Sequence, residues 1–270
     1  MPLNFIDKLK HVVKINHSYL CVGLDSEIGK IPQRFRQSED ALFAFNRYIV
    51  EETSDLVCAY KPNLAFYECW GSQGYESLRR TIDIIPKHIP IILDGKRGDI
   101  GNTSRMYAQA AYDGFGGAAV TLSPYMGREV FEPFLEWEDR FIFGLGRTSN
   151  PSAAALQLLP VGLNEEPFYL SVIREMSNWG GADQIGFVVG ATQNEELRQI
   201  RELYPDRLLL IPGIGAQGGD IDSVCQWGKR QADGLMIVNV SRAVIFPKEG
   251  ESVRGQAEYY RHLLNKTTQS

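Results

Sequence analysis

Eight short apolar runs, spaced along the whole chain and separated by longer amphipathic segments, constrain the fold of this sequence more than any other feature. They are YLCVGLD (19–25), VCAYKPN (57–63), IPIILDG (89–95), GAAVTLS (117–123), RFIFGLG (140–146), QIGFVVGA (184–191), RLLLIPG (207–213) and DGLMIVN (233–239). Each has the length of a β-strand, and several are almost continuously apolar, as strands covered on both faces must be. Most end in Gly, Asp, Asn, Ser or Pro, residues that turn a chain into a loop. Between them lie helical patterns. Leu42, Phe45, Ile49 and Val50 recur at helical spacing after Ser38, an N-cap residue type, and 103–114, 165–180, 194–205, 218–230 and 253–266 read similarly.

Strand–helix units repeated eight times in 270 residues match an α/β fold of the (β/α)8 TIM-barrel type. A doubly wound open sheet also alternates strand and helix and is the alternative. An extra N-terminal helix over 3–16 precedes the first strand and is expected to cover the bottom of the barrel. No linker or composition shift divides the chain, so 1–270 reads as one barrel domain. The longest connection, RTSNPSAAALQLLPVGLNEEP (147–167), has the length of a lid or binding segment.

Charge and composition exclude several functions. With 28 basic and 33 acidic residues the net charge is −5, which argues against a protein that neutralises nucleic-acid phosphates. No stretch reaches the ~18 apolar residues of a membrane span, and the first residues lack the apolar region of a signal peptide. Cys21, Cys58, Cys69 and Cys225 are far apart, and His11, His17, His88 and His262 begin no metal-ligand spacing. The expectation is a cytoplasmic protein without a disulfide framework or bound metal.

Chemistry concentrates at the end of the third strand, in Asp94-Gly95-Lys96-Arg97-Gly98-Asp99. Side chains two apart on a strand point the same way, so Asp94 and Lys96 face one side together, and at a barrel strand end that side is the mouth. Lys61 ends the second strand, which makes a Lys–Asp–Lys row across neighbouring strands. Asp99 follows at the start of the next helix. The plain alternative is an ion-pair network ordering the mouth, with Asp99 as a helix cap.

A second cluster is PGIGAQGGD (212–220), followed one strand later by IVNVSRAV (237–244). Gly213, Gly215 and Gly218 fit GxGxxG, but the acidic residue that a dinucleotide site wants is replaced by Asn239. In a barrel the loops after strands seven and eight are the usual phosphate cradle, and Arg242 adds a charged fork. Turn chemistry and a solvated helix start are the bland readings. Asp25 suits a sugar hydroxyl or a turn cap, and Ser149 and Asn150 suit a ring edge or a turn.

With these motifs the chain resembles the orotidine 5′-phosphate decarboxylase family, in its longer bacterial form. CVGLD, AYKPN, LDGKRGDIGNT, RTSNP, PGIGAQGG and VNVSRAV stand in the family's order along the whole chain, and DGKRGDIGNT, a D-x-K-x-x-D element with a following Thr, is the most specific. The resemblance implies that orotidine monophosphate is decarboxylated to uridine monophosphate without a cofactor. Lys96 would be the proton donor and Asp94 and Lys61 its charged neighbours, with Asp99 and Thr103 reaching into the partner's site of a homodimer. Asp25 would bind ribose, Ser149 the pyrimidine, and Gln217 and Arg242 the phosphate beside Gly215 and Gly218. TLSPY (121–125) departs from shorter family members, and nothing is carried over there.

Three rivals remain. A sugar-phosphate decarboxylase or aldolase using a magnesium enediolate needs a carboxylate ligand where Lys61 stands. A Schiff-base aldolase needs a lysine with a depressed pKa, against the influence of acidic neighbours. A non-catalytic phosphate binder on the same scaffold is the third.

Overall fold

A computed structural model describes residues 3–215 and 218–266. All eight apolar runs contribute strands: β1 (Leu20–Gly23), β2 (Ala59–Lys61), β3 (Ile92–Arg97), β4 (Ala119–Leu122), β5 (Phe141–Arg147), β6 (Ile185–Val189), β7 (Leu209–Pro212) and β8 (Ile237–Val240). They pair in parallel in the order β2-β1-β8-β7-β6-β5-β4-β3. The two ends meet through isolated bridges, Tyr60 with Ile91 and Asn63 with Asp94, so the sheet closes into a barrel and the open-sheet alternative falls. The seam is thin for a chemical reason. Pro62 and Pro90 have no N–H to give. What remains is Tyr60 N donating to Pro90 O (3.1 Å), Asp94 N to Pro62 O (3.0 Å) and Leu64 N to Asp94 O (3.1 Å).

The longer helices are α1 (Phe5–Asn16), α2 (Ala41–Thr53), α3 (Gly71–Ile84), α4 (Gly101–Gln109), α5 (Phe168–Trp179), α6 (Asn194–Leu203), α7 (Ile221–Trp227) and α8 (Val253–Lys266). The N-cap of α2 is Asp40, whose carboxylate accepts from Phe43 N at 2.9 Å, rather than Ser38. Two positions decide it, because only a side chain directly before the first turn reaches the free N–H groups. Connection 147–167 is partly built. It holds a turn at Pro151–Ala153, a short helix Ala154–Gln157, and an antiparallel ribbon pairing Pro160–Val161 with Glu166–Pro167.

Strand periodicity divides the core. Cys21, Ala59, Ile92, Ala119, Phe141, Phe143, Val188, Leu210 and Ile237 share an apolar cluster with Phe5, Ile6 and Leu9 of α1. Alternate residues such as Val22, Leu93, Ile142, Leu209 and Val238 pack with the surrounding helices. The interior is therefore filled, and α1 plugs its lower end. Asn4 caps the helix by accepting from Asp7 N (2.9 Å), and Phe5 N donates to Asp139 O (3.1 Å) just before β5. The Phe5 ring stacks on Phe141 with centroids 4.9 Å apart and meets Phe143 edge-on at 5.9 Å.

Replacing Phe5 by Ala removes this buried ring and leaves a cavity against two aromatic neighbours. The expected cost is about 4 kcal/mol, read from the midpoint of a urea transition. A loss below about 1 kcal/mol would make α1 an appendage rather than the plug of the barrel.

Candidate active site

Moving two residues along each strand from the apolar interior layer reaches a polar layer. Cys21 is followed at that period by Gly23 and Asp25, Ala59 by Lys61, Ile92 by Asp94 and Lys96, Ala119 by Thr121, and Ile237 by Asn239. The parity that fills the core thus delivers these groups to one end of the barrel. Asp25, Lys61, Asp94 and Arg242 line a single cleft of about 170 Å³, with Asn63 and Asn239 among the other walls.

Asp94 is its centre. The residue is 7% exposed, and its Oδ2 accepts from Lys61 Nζ at 2.5 Å. Its Oδ1 accepts from Lys96 Nζ at 2.5 Å and from Thr121 Oγ1 at 2.9 Å. Burial alone would raise its pKa, but attraction and hydrogen bonds from the two lysines outweigh it and hold the carboxyl well below the usual range. Burial would likewise lower the pKa of Lys61, which is 4% exposed. Asp94 and Asp25 prevail and hold Lys61 above the ordinary lysine range, so it stays an ammonium.

Lys96 differs from Lys61 in backbone and exposure. Its φ is +46°, a left-handed conformation that costs a non-glycine residue about 1–2 kcal/mol. The pairing of β3 with β4 shifts register between Leu93 and Arg97, and Lys96 N donates to Thr121 Oγ1 at 2.9 Å instead of to the ladder. The bulge turns the lysine towards the mouth, where its side chain is 48% exposed while Nζ stays on Asp94. Thr121 therefore holds Lys96 by its backbone and Asp94 by its side chain. Thr121 carries no charge to mark it in the sequence, although its parity with Ala119 places it in this layer.

Two acceptors around the cleft have no hydrogen-bond partner among the described residues: Asp25 Oδ1 and Asn239 Oδ1, both buried. Asn239 Nδ2 donates to Ser241 Oγ at 3.3 Å. Buried acceptors left open are costly, so the pair fits a ligand bringing hydroxyl or N–H donors. Cys21, directly below, has its thiol pushed up to about 12 by burial and by Asp25 and Asp94 against the pull of Lys61, so it is no nucleophile.

The remaining predicted residues scatter. Gly215 and Arg242 line an adjoining cavity of about 670 Å³ that reaches Lys248 and Tyr259. Gly213, Gly215 and Gly218 have φ of +107°, +87° and +71°, and Gly218 N and Gly219 N donate back to Gly215 O (3.1 Å) and Gly213 O (3.2 Å). Such positive φ values are the conformation that favours glycine. Gln217 lies outside the described residues. Ser149 stands at the top of β5 against Gly190, where a Cβ would lie 2.8 Å from its own Cβ. Asp99 and Thr103 are not brought to this cleft. Asp99 Oδ1 accepts from Ile100 N (2.8 Å) and does not cap α4, and Thr103 is exposed on that helix's first turn.

Comparison with known proteins gives a consistent answer. The sequence pattern described as "Orotidine 5'-phosphate decarboxylase / HUMPS family" matches residues 18–254. A protein of Herpetosiphon aurantiacus named orotidine 5′-phosphate decarboxylase is 45% identical over 249 residues, covering 92% of this chain and 91% of its own. A Thermomicrobium roseum protein of the same name is 42% identical over 269 residues, covering 98% and 96%. The structure of Leishmania donovani OMP decarboxylase superposes with a TM-score of 0.85 at 33% identity, over 97% of this chain and 98% of that one.

The ion-pair row sets an acid limit on stability. Because the folded pKa of Asp94 is depressed, its contribution is fully present above the unfolded carboxyl's value near 4 and is lost as pH falls below it towards the folded value. Lys61 is raised, so its contribution persists at all lower pH and is lost only in strong alkali. Asp94→Asn leaves Lys61 buried without its counter-charge and is expected to cost about 3–5 kcal/mol at pH 7. Urea unfolding at several pH values checks this: the wild type should weaken between about pH 4 and 2 with an increment that the variant lacks. Equal acid slopes would remove Asp94 from the account.

Proposed function

The chain belongs to the orotidine 5′-phosphate decarboxylase / HUMPS family, and on that footing we propose that it converts orotidine 5′-monophosphate to uridine 5′-monophosphate and CO2 in pyrimidine biosynthesis, without a metal or organic cofactor. The observation that carries this reading within the family is Lys61, a buried ammonium 2.5 Å from Asp94. A magnesium enediolate site would need a carboxylate ligand in that place. Among the described residues no group of three His, Cys, Asp or Glu side chains is gathered for a metal. A lysine held protonated is equally unsuited to forming a Schiff base.

In the proposed reaction the bond between C6 and the carboxylate carbon breaks and its electron pair stays on C6, in the plane of the ring. No carbonyl is conjugated with that pair, so the protein must supply the stabilising charge. Lys96 faces the leaving CO2 as an ammonium, stabilises the C6 anion and delivers its proton there, giving uridine monophosphate. Its partly exposed side chain regains a proton from solvent. Asp94 repels the substrate carboxylate, worth about 4 kcal/mol at ~4 Å and an effective dielectric of ~20. Enzymes of this kind remove well over ~10 kcal/mol from the barrier, so stabilisation of the anion by Lys96 is the larger effect.

Asp25, with its open buried acceptor, suits a ribose hydroxyl, and Ser149 the pyrimidine edge. Gly215, Gly218, Gln217 and Arg242 suit the phosphate, whose binding energy is spent far from the reacting carbon on orienting the ring. Asp99 and Thr103, away from their own chain's cleft, complete the site of a second copy. Support comes from the apolar side chains exposed beside them: Ile100, Met106 and Tyr107 around α4, and Tyr125 (80% exposed) and Met126 after β4. Cys21, Cys58, Cys69 and Cys225, none of them joined in a disulfide, suit a reducing, cytoplasmic setting.

Loss of orotidine monophosphate absorbance tests the reaction. Lys96→Ala should lower kcat by at least about 10⁴-fold, since it removes both the ammonium and the proton. EDTA should leave the wild type unchanged. Strict magnesium dependence, or turnover surviving in the variant, would overturn the reading. For the shared site, Lys96→Ala and Asp99→Ala are each expected to be inactive alone. Mixed after unfolding and refolding together, they should regain about a quarter of wild-type activity, from hybrids with one intact site. No recovery from correctly folded hybrids would place Asp99 in its own chain's site.

A further inference from the structure

Arg147 ends β5, at the root of the long connection, and is 4% exposed. Its guanidinium has four partners on two segments, the connection itself and the start of α6. Nε pairs with Glu196 Oε1 at 3.3 Å and Nη2 donates to Gln193 Oε1 at 2.8 Å. Nη1 donates to Gln157 Oε1 at 3.1 Å and to Thr148 O at 3.0 Å. Gln157, in the short helix of the connection, reaches back to the same root. Its Oε1 also accepts from Thr148 N (3.0 Å), and its Nε2 donates to Thr148 Oγ1 (2.9 Å).

The other arm leads to the glycine-rich turn. Gly190 N donates to Arg147 O at 2.8 Å, and Gln193 N returns to Gly190 O at 3.1 Å. The same 190–194 segment binds the next one on both sides. Ala191 N donates to Pro212 O (2.8 Å), Asp220 N to Ala191 O (3.3 Å) and Asn194 Nδ2 to Asp220 Oδ2 (3.1 Å). Ser149 lies packed on Gly190 within this frame. A hydrophobic side chain would fill the volume of Arg147 at lower desolvation cost. What it would lack is a planar fork of five donors able to join two loops at once.

We propose that Arg147 is a positioning residue for the decarboxylation: it fixes the connection 148–158 and ties it, through 190–194, to Asp220 and to Pro212, which lines the cleft. The role given to Ser149 over the pyrimidine rests on the function proposed above. The tie itself is a property of the substrate-free chain.

Two measurements separate these. Hydrogen exchange on the substrate-free protein should show faster exchange in Arg147→Met not only at 148–158 but also at 190–194 and 219–220. Gln193→Leu, which keeps the charge and its pairing with Glu196, should show the increase at 190–194 and 219–220. Faster exchange confined to 148–158 in Arg147→Met would overturn the tie. In kinetics, Arg147→Met and Arg147→Lys should both raise KM for orotidine monophosphate about tenfold with kcat within about twofold, because lysine restores the charge but not the fork. A purely structural residue would instead lower kcat with the folded fraction at constant KM, and that result, or full rescue by lysine, would overturn the proposal. Variants that exchange as described, from a wild type that does not decarboxylate, would refute the proposed function and leave the tie standing.

Discussion

Asp94 stands between two ammonium groups at the mouth of the barrel, and the surrounding structure is arranged to keep it there. A buried carboxylate is costly unless paired and hydrogen-bonded, and a buried Lys61 is costly for the same reason with the opposite sign. Each makes the other's burial affordable. Thr121 fills a further acceptor position of Asp94, and the left-handed backbone of Lys96 brings a second ammonium to the same carboxylate. None of these features is favourable alone. Strained backbone, interrupted ladder and buried ions are stable together because each satisfies a bond another leaves open.

The ion pair also lies across the weakest line of the barrel. β2 and β3 are joined only by isolated bridges, since Pro62 and Pro90 withhold donors. Lys61 on one side and Asp94 on the other span that seam. The bulge that aims Lys96 lies on the other side of β3, against β4, and the lower half of the barrel is a closed apolar stack of Phe5, Phe141, Phe143 and Ile237. Stability is concentrated below and chemistry above. The division follows from side-chain parity along each strand.

That parity explains what was legible in the sequence. Near-continuous apolar strands located the barrel, and spacing of two placed Lys61, Asp94 and Lys96 on one side of it. The same rule applied to Ala119 and Ile237 reaches Thr121 and Asn239, but Thr and Asn carry no charge to mark them, and in the sequence Asn239 stands out only where a dinucleotide site would want an acid. Arg147 was invisible for another reason. Its partners Gln193 and Glu196 are 46 and 49 residues away, brought near by the pairing of β5 with β6, and Gln157 folds back from within the connection. Asp40 rather than Ser38 caps α2 because capping depends on a boundary two residues either way, which periodicity does not resolve.

Charge bookkeeping in the Lys61–Asp94–Lys96 row gives the proposed chemistry a physical basis. The row carries one net positive charge, inside a protein whose total is −5. An orotate carboxylate brought beside it makes the sum of row and reacting group zero, and so does the C6 anion left when neutral CO2 departs. The row need not reorganise during the reaction, because only the position of the negative charge changes, from the carboxylate oxygens near Asp94 to the ring carbon facing Lys96. A site that keeps its charge sum while one anion moves away from a fixed carboxylate and towards a fixed ammonium favours the second arrangement over the first. That difference between the two states, rather than tight binding of either, is what lowers a barrier.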